Sequence, residues 1–373
     1  MDKTIQILGI ILLCCAAAGV TVLMMGTSGT GTHPVPAPDR TPTPGTTTTT
    51  APTTNATGLQ NSRTCTQVTI TQTDGTPLTL PCRPERLIVA NEDAAEMLIA
   101  FGAADKIVGV DDPTLSVPYI MDKIPNATSI GDWETPNVEE ILALHPDAVI
   151  SYSSYKPKNL DQLTAANITV ISLDCYKLDT LPSDARALGT LTGTSNAAEV
   201  YARMVEDTVA QVNTRVKTIP ADEYPSVYFE SYTDYSAASN GSGSDEMLVA
   251  AGGKNIAGTF QTSYMTVSPE WVVAQQPQYV MKVVSSPSTF SLAEVVENLK
   301  ARPGWDSIPA VQQNRVYAFD SDIEYGPRAY IGLVYTAQLL HPDIFRDMHP
   351  HAMLDEYAGT YVSGTNVSTM IYP

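Results

Sequence analysis

The stretch from Ser195 to Ile219 reads SNAAEVYARMVEDTVAQVNTRVKTI and contains neither glycine nor proline. Its apolar residues recur every three or four positions, so they form one stripe along an α-helix. Asn196 is placed to cap the start of this helix, with Glu199 as its capping-box partner, and Pro220 stops it. At 1.5 Å per residue the helix is roughly 35 Å long, about the diameter of a small domain. The stripe consists of Val200, Met204, Val205, Val209, Val212, Val216 and Ile219.

On either side of this helix lies a region of similar size in which apolar strands alternate with short helices. Such alternation is typical of a parallel sheet covered on both faces. We therefore interpret the helix as a rigid strut between two doubly wound α/β lobes. A long helix inside one domain, or a short coiled coil, is the alternative, although the stripe lacks a strict heptad repeat. The predicted strands are Leu87–Ala90, Ile107–Val110, Ala148–Tyr152, Thr169–Leu173, Ser226–Ser231, Tyr279–Val284 and Val316–Phe319. The predicted helices are Ala94–Phe101, Val138–Leu144, Leu160–Ala166, Glu246–Ala251, Trp271–Gln275, Leu292–Lys300 and Ala329–Leu340.

The N-terminal part of the chain differs in composition from the lobes. The run Ile5–Met25 is uncharged, mostly apolar and long enough to span a bilayer, and Lys3 before it favours a cytoplasmic N-terminus. A cleaved signal peptide is the alternative. The following stretch is rich in threonine and proline, which is typical of a solvated stalk. Five Asn-x-Ser/Thr sequons fit an exported glycoprotein, at Asn55, Asn126, Asn167, Asn240 and Asn366.

These patterns predict five parts along the chain. A membrane anchor or signal occupies residues 1–26, and a Thr/Pro-rich disordered stalk occupies 27–63. The first α/β lobe covers 64–185, the bridging-helix region 186–220 and the second lobe 221–373. We expect the protein at the outer face of the cell membrane, anchored through its N-terminal helix.

Charge and cysteine usage narrow the class of protein. A formal net charge of −19 over 373 residues argues against a nucleic-acid partner.

Cys65 and Cys82 flank a hairpin-like stretch with Asp74-Gly75 as the turn signal, so they fall nearly opposite one another. Outside the cytoplasm this placement predicts a disulfide, and two free thiols are the alternative. Cys175 is left without an assigned role.

Two segments of the chain repeat one pattern. An aromatic residue precedes a glutamate by six positions, as Trp133 precedes Glu139 and Tyr264 precedes Glu270. A proline follows each glutamate by seven positions. A carboxylate in the first turn of a helix complements the helix dipole, which is the simplest explanation of either glutamate. Because the dipole does not require an upstream aromatic, the repeat favours a functional pair, with Trp133 and Tyr264 facing each other across a cleft.

The sequence resembles the substrate-binding proteins of ABC importers for iron-siderophores, haem and cobalamin over roughly residues 66–348. The motifs that carry the resemblance are PERLIVA (84–90), FGAADKIVGVD (101–111), NVEEILALHPDAVI (137–150), AGGKNIAG (251–258), VSPE (267–270) and IPAVQQNRVY (308–317). Their order and spacing together are specific. The resemblance implies two lobes bridged by one long helix and limited hinge motion. It also implies that Glu139 and Glu270 dock onto arginines of a membrane permease, one in each lobe.

The resemblance also implies where a ligand binds. Aromatics matching Trp133, Tyr152 and Tyr264 line the cleft of cobalamin binders, and a flat macrocycle suits aromatic walls. Arg328 lies in the region that contributes arginine to the cleft of siderophore binders, where it meets an anionic chelate. For each of these residues a packing or surface role is the alternative. Further candidates for the cleft are Tyr232, Tyr235 and Glu324.

The resulting hypothesis is a monomeric binding protein that delivers a ferric-siderophore or a corrinoid to an ABC permease and its ATPase. The chelate is the ligand, and no cofactor or direct metal site is expected, because the histidines show no metal-ligand spacing. We do not expect an enzyme, since the sequence contains no nucleophile elbow, P-loop or dinucleotide fingerprint. The alternative is a surface receptor or adhesion protein with the same fold and no transport role.

Overall fold

The computed structural model describes residues 65–285, 291–362 and 370–373, which all belong to one compact unit. The predicted anchor and stalk, and the sequons at Asn55 and Asn366, lie outside these described residues. Within the described ranges, no helix combines the length and the apolar character needed to cross a membrane.

The first lobe is built on a sheet of five strands. All pairings in this sheet are parallel, and its strand order is β5-β4-β3-β6-β7 once the strands are numbered along the chain. These strands are β3 Leu87–Ala90, β4 Ile107–Val110, β5 Thr128–Ser129, β6 Ala148–Ser151 and β7 Val170–Ser172. The lobe also contains a separate antiparallel hairpin of β1 Val68–Thr71 and β2 Pro77–Leu80. Every residue of β3 and β6 is buried, because helices cover both faces of the sheet. The predicted α/β class with a parallel sheet is therefore confirmed.

Seven helices accompany the described strands of this lobe. They are α1 Glu92–Ala100, α2 Asp112–Leu115, α3 Pro118–Met121, α4 Val138–Ala143, α5 Leu160–Ala165, α6 Leu181–Thr192 and α7 Ser195–Val216. Helix α6 is missing from the sequence prediction, and it runs through the predicted boundary between residues 185 and 186. Its buried residues include Leu181, Leu188 and Leu191, which pack against the hairpin β1–β2 and the strut helix α7.

The second lobe has a mixed sheet. Strands β8, β12 and β13 run parallel at its centre, and antiparallel strands complete both edges. The strands are β8 Ser226–Glu230, β9 Ser236–Ala238, β10 Lys254–Asn255, β11 Tyr264–Thr266, β12 Tyr279–Val284, β13 Val316–Asp320 and β14 Ile371–Tyr372. The helices are α8 Gly243–Ala250, α9 Pro269–Gln275, α10 Leu292–Lys300, α11 Pro309–Gln312, α12 Ser321–Glu324, α13 Ala329–Leu340, α14 Pro342–Phe345 and α15 Pro350–Thr360.

Helix α7 connects the two lobes, since it packs on α6 of the first lobe and on α13 of the second. Its buried face differs from the predicted stripe: Val200 is 64% exposed, whereas Tyr201 is buried. The predicted cap at Asn196 is wrong, because the helix already begins at Ser195 after Thr194, which makes no side-chain cap bond. The carboxylate of Glu199 instead accepts hydrogen bonds from two arginines, Arg186 on α6 and Arg203 on α7.

The hairpin β1–β2 carries the predicted disulfide, and the structure confirms it. Cys65 and Cys82 are bonded, with their Cα atoms 5.1 Å apart. The hairpin is also bound to the rest of the lobe, because Thr73 donates a 2.7 Å hydrogen bond to the buried carboxylate of Asp184 on α6. The remaining described cysteine, Cys175, is free and buried.

Closing a loop of this length should stabilise the fold. A disulfide across a separation of 17 residues restricts the unfolded chain by about 3 kcal/mol. We expect the double variant Cys65→Ser with Cys82→Ser to lower the free energy of unfolding in urea by 2–3 kcal/mol, about what that loop entropy supplies. Non-reducing peptide mapping should recover the two cysteines in one cross-linked species. Complete alkylation of both thiols without a reductant would contradict the assignment.

Candidate functional site

The first lobe presents aromatic side chains at the carboxyl ends of its strands. Tyr152 follows β6 directly, and Tyr176 lies in the loop after β7. The ring of Trp133 meets that of Tyr152 edge to face at 5.4 Å between centroids and that of Tyr155 at 6.3 Å. Tyr152 in turn lies 6.0 Å from Tyr176. Because ligands of open α/β sheets bind at this edge, these rings form one wall of a candidate site.

The second lobe continues this row of rings. Tyr325, which follows α12, lies 6.4 Å from Tyr176 of the first lobe, with the two ring planes at 78°. The hydroxyl groups of Tyr325 and Tyr264 are 3.4 Å apart. Tyr155 is close enough to Tyr264 to help raise the pKa of its hydroxyl, although burial is the main cause of that shift. The row therefore continues from the first lobe to the second.

We call these six side chains the aromatic arc. It contains Trp133, Tyr152 and Tyr264, three of the residues proposed from the sequence, and adds three that the sequence reasoning missed. Trp133 and Tyr264 belong to different lobes, and they are linked through intervening rings rather than by direct stacking. In chain order the arc consists of Trp133, Tyr152, Tyr155, Tyr176, Tyr264 and Tyr325.

A buried carboxylate lies beneath the arc on the second lobe. Glu324 at the end of α12 is 2% exposed, and neither carboxylate oxygen has a hydrogen-bond partner of ordinary geometry. The neighbouring hydroxyls of Ser244 and Tyr325 bond to each other at 2.8 Å. Burial raises the pKa of Glu324 to about 8, and the same two hydroxyls oppose the shift. Gly332 on α13 allows the close approach behind it, since a Cβ there would overlap the carbonyl of Ile323.

More carboxylates surround the junction of the lobes. Burial, reinforced by Asp322 and Glu96, raises the pKa of Glu92 to about 8, and it raises the pKa of Asp322 to about 6. The pKa of Asp93 is raised well above its usual value, first by burial and then by Glu92. Among the described residues, no group of three His, Cys, Asp or Glu side chains is arranged to hold a metal ion.

Arg328 was predicted to offer its charge to an anionic chelate, but the structure places it in a buried network. Its guanidinium is 2% exposed and donates to Glu96 of α1 at 2.7 Å and to Asp322 at 3.2 Å. The hydroxyls of Tyr119 and Tyr357 also donate to Glu96, at 2.7 and 2.6 Å. The bonds of the guanidinium come from Nη2 alone, whereas Nε and Nη1 have no hydrogen-bond partner among the described residues.

The two remaining tyrosine candidates have different surroundings. Tyr232 is 45% exposed and borders a cavity of about 500 Å³ that also contacts Lys282 and Arg302. Tyr235 packs instead against Trp305 and under the guanidinium of Arg302, 4.4 Å from its ring centroid. Tyr232 therefore lines a cavity of the second lobe, whereas Tyr235 packs against Trp305 and Arg302.

The two glutamates of the repeated pattern occupy equivalent helix starts. Glu139 lies in the first turn of α4 behind the cap Asn137, whose side chain accepts from the Glu139 N–H at 3.0 Å. Glu270 lies in the first turn of α9 behind the cap Ser268. Both glutamates are exposed, and neither forms an ion pair with any of the residues that the structure describes.

The site residues that were not predicted from the sequence share one position, since each lies beyond the carboxyl end of a strand. Tyr155 and Tyr176 follow the parallel strands β6 and β7, and Tyr325 follows β13 and the short helix α12. Asp93 likewise begins the helix after β3. A search for polar and aromatic residues just beyond each predicted strand would have selected all four.

Two α/β lobes joined by one long helix, with a candidate site where they meet, define a class of solute-binding proteins. Residues 87–323 match the model of the family described as periplasmic binding protein. This match covers more than half of the chain, so the protein belongs to that family. Members of the family are solute carriers that act outside the cytoplasm and are not enzymes.

Individual relatives agree with this assignment. The chain is 27% identical over 288 residues to the uncharacterized ABC transporter substrate-binding lipoprotein YvrC of Bacillus subtilis, covering 75% of this chain and 87% of the relative. It is 30% identical over 240 residues to the cobalamin-binding protein of Halobacterium salinarum, covering 63% and 64%. A periplasmic haem-binding protein of Pseudomonas aeruginosa superposes with a TM-score of 0.58 at 25% identity, covering 70% and 94%.

The raised carboxyl pKa values predict how stability depends on pH. Glu324 holds its proton more tightly in the folded state, with a pKa of about 8, than in the unfolded state, where it is near 4.5. Its contribution to stability is therefore present below about pH 4.5 and is lost as the pH rises towards 8. The half-buried His341, whose pKa is lowered by partial burial, acts in the opposite direction. As the pH rises from 5 to 8.5, we expect the melting temperature of Glu324→Gln to fall less than that of the wild type. Parallel melting curves for the two proteins would count against this interpretation of Glu324.

Proposed function

We propose that the protein captures a metal chelate between its lobes and delivers it to the permease of an ABC importer. The observation that carries this proposal is the aromatic arc, which crosses from one lobe to the other within a chain of the periplasmic binding protein family. Rings in this arrangement offer their faces and edges to a flat macrocycle, with about 0.5–1.5 kcal/mol of stabilisation for each favourable ring pair beyond burial alone. The names of the relatives, for cobalamin and for haem, support a chelate of this shape. The chelate is cargo and not a resident cofactor.

The docking surface is the second part of the proposal. Glu139 and Glu270 stand exposed at the starts of equivalent helices, one in each lobe. Each carboxylate can form a charge-assisted pair with an arginine of a permease. Two such contacts at separated points fix the orientation of the binding protein on the permease, whereas one contact would leave it free to rotate.

The N-terminal sequence supports the third part of the proposal, which is the location of the protein. We place it at the outer face of the cell membrane, held by the apolar segment Ile5–Met25 and extended on the stalk of residues 27–63. Three of its sequons lie among the described residues, at Asn126, Asn167 and Asn240, and all three asparagines are exposed. Exposure meets the first requirement of N-glycosylation at each site.

Removing rings from the arc should weaken ligand binding. We expect Trp133→Ala and Tyr264→Ala each to raise the dissociation constant for a corrinoid or haem at least fivefold, which corresponds to about 1 kcal/mol. Titration of the purified protein by tryptophan quenching or calorimetry measures this. The control is Tyr372→Ala, which deletes an exposed ring from the edge strand β14. Unchanged affinity in both arc variants would return these residues to a packing role.

Charge reversal should separate docking from ligand capture. We expect Glu139→Lys combined with Glu270→Lys to keep ligand affinity and to abolish uptake in cells that lack the native binding protein. Like charges would then oppose the arginines of the permease, at a cost of several kcal/mol.

A matched control isolates the effect of the helix dipole. Asp161 and Asp343 are exposed acids in the first turns of α5 and α14, one in each lobe. Their reversal to lysine imposes a similar dipole penalty, about 0.3–1 kcal/mol per site, away from the proposed docking residues. Normal uptake by the Glu139/Glu270 variant, with a melting temperature lowered as in the control, would reject the docking role.

A further inference from the structure

A cavity of about 500 Å³ lies in the second lobe, between the segment that follows β8, strand β12 and helix α10. Its volume is within the range of about 300–1,000 Å³ that small-molecule sites occupy. None of the six side chains of the aromatic arc is among the described residues that line it. The cavity is therefore a second candidate site, separate from the residues proposed to hold the chelate.

Two cations at this cavity share one buried carboxylate. Glu230 is completely buried, and its carboxylate accepts from Lys282 at 2.7 Å and from two nitrogens of Arg302 at 2.7 and 2.9 Å. It also accepts from the hydroxyl of Tyr228 at 3.0 Å and from the N–H of Tyr235 at 2.9 Å. The hydrogen-bonding capacity of Glu230 is thus well used, but its single charge balances only one of the two cations.

Both cations are also held by other contacts. The ammonium of Lys282 donates to the carbonyl of Ser231 at 3.2 Å, and only 7% of the lysine side chain is exposed. The guanidinium of Arg302 lies over the rings of Tyr235 and Trp305, 4.4 and 4.7 Å from their centroids. Because these contacts keep both groups in place, the cavity presents a preorganised pair of charged donors.

The second counter-ion is Asp234, which differs from Glu230 in its exposure. Its Oδ1 lies 2.8 Å from Arg302 and 3.2 Å from Lys282, while 68% of its side chain is exposed. An ion pair with an exposed carboxylate contributes little to stability, because water screens the attraction. Asp234 can therefore turn out into solvent at small cost, and one positive charge at the cavity is then left without a partner.

Apolar side chains form another part of the lining. Val284 of β12 and Val295 and Leu299 of α10 border the cavity as well. An apolar group that packs against them would be removed from water, which is favourable. A fitting occupant thus combines an apolar body with a single negative charge. A dianion such as sulfate would bring one negative charge too many next to the buried Glu230.

We propose that this cavity binds a small free monocarboxylate, whose carboxylate replaces that of Asp234 between Lys282 and Arg302. The apolar body of the ligand then packs against the two valines and the leucine of the lining. The planar guanidinium of Arg302 matches the geometry of a carboxylate. One negative charge enters as another leaves, so the cluster stays neutral. The inference goes beyond the proposed function, since it requires no chelate at the aromatic arc.

Four probes test the chemistry of this site. Benzoate and hexanoate carry one carboxylate on an apolar body, benzamide is the neutral analogue of benzoate, and sulfate is a compact dianion. Titration of the purified full-length protein by ligand-detected NMR measures each affinity. We expect saturable binding of benzoate or hexanoate, at least about tenfold tighter than that of benzamide or sulfate, since hydrogen bonds between charged groups are the stronger ones. Binding of neither acid, or equal binding of benzamide or sulfate, would overturn the inference.

A variant at Asp234 distinguishes this site from non-specific binding. Asp234→Asn removes the carboxylate that competes with the ligand, so we expect the acid to bind at least about threefold more tightly than it binds the wild type. Asp222→Asn is the control, because Asp222 is an exposed acid of the same lobe outside the described lining and its substitution changes the net charge equally.

The comparison of these two variants decides the role of Asp234. An affinity that stays unchanged in Asp234→Asn, or that rises equally in the control, would reject the replacement of its carboxylate by the ligand. If Asp234→Asn fails to fold, the wild-type ratio of benzoate to benzamide affinity still decides.

Discussion

The guanidinium of Arg328 has been removed from water, and a buried charge must be compensated. Its partner Glu96 comes from the other lobe, 232 residues away along the chain, at 2.7 Å. Breaking such a pair by removing one member costs about 3–5 kcal/mol, because the remaining charge is left buried. The turn that carries Arg328 is held a second time, where Tyr201 of the strut helix donates to the carbonyl of Pro327 at 2.7 Å. These two contacts join the lobes at the turn that carries Arg328.

The aromatic arc depends on this junction. The turn after α12 brings Tyr325 beside Tyr176, and the N–H of Gly326 donates to the carbonyl of Tyr176 at 3.1 Å. Gly326 adopts φ +75°, and a side chain there would overlap Asp93. The same closeness concentrates carboxylates at the site and raises their pKa values. Buried carboxyl groups with raised pKa values are unfavourable for folding and are typical of functional sites.

The sequence by itself determined the local elements and the positions that depend on them. The predicted bounds of β3, β12 and α10 match the structure, because apolar runs between turn residues specify a strand or a helix locally. The starts of α4 and α9, and with them the exposure of the two glutamates, follow from capping residues within the same few positions. The disulfide was predictable for the same reason, since both cysteines belong to one hairpin.

The tertiary structure alone decided which faces are buried and which side chains meet. On α7, Val200 is exposed and Tyr201 is buried, because the ring of Tyr201 packs against Phe101 of the first lobe and against Tyr330 and Tyr361 of the second. Arg328, predicted as a cleft cation, is buried beside Glu96 because the other lobe brings that carboxylate to it. The close packing of α13 on α12, beside the buried Glu324, likewise depends on Gly332, since a Cβ there would overlap the carbonyl of Ile323. Periodicity and capping describe interactions within a few residues, whereas these outcomes depend on contacts between elements that only the packing of the lobes brings together.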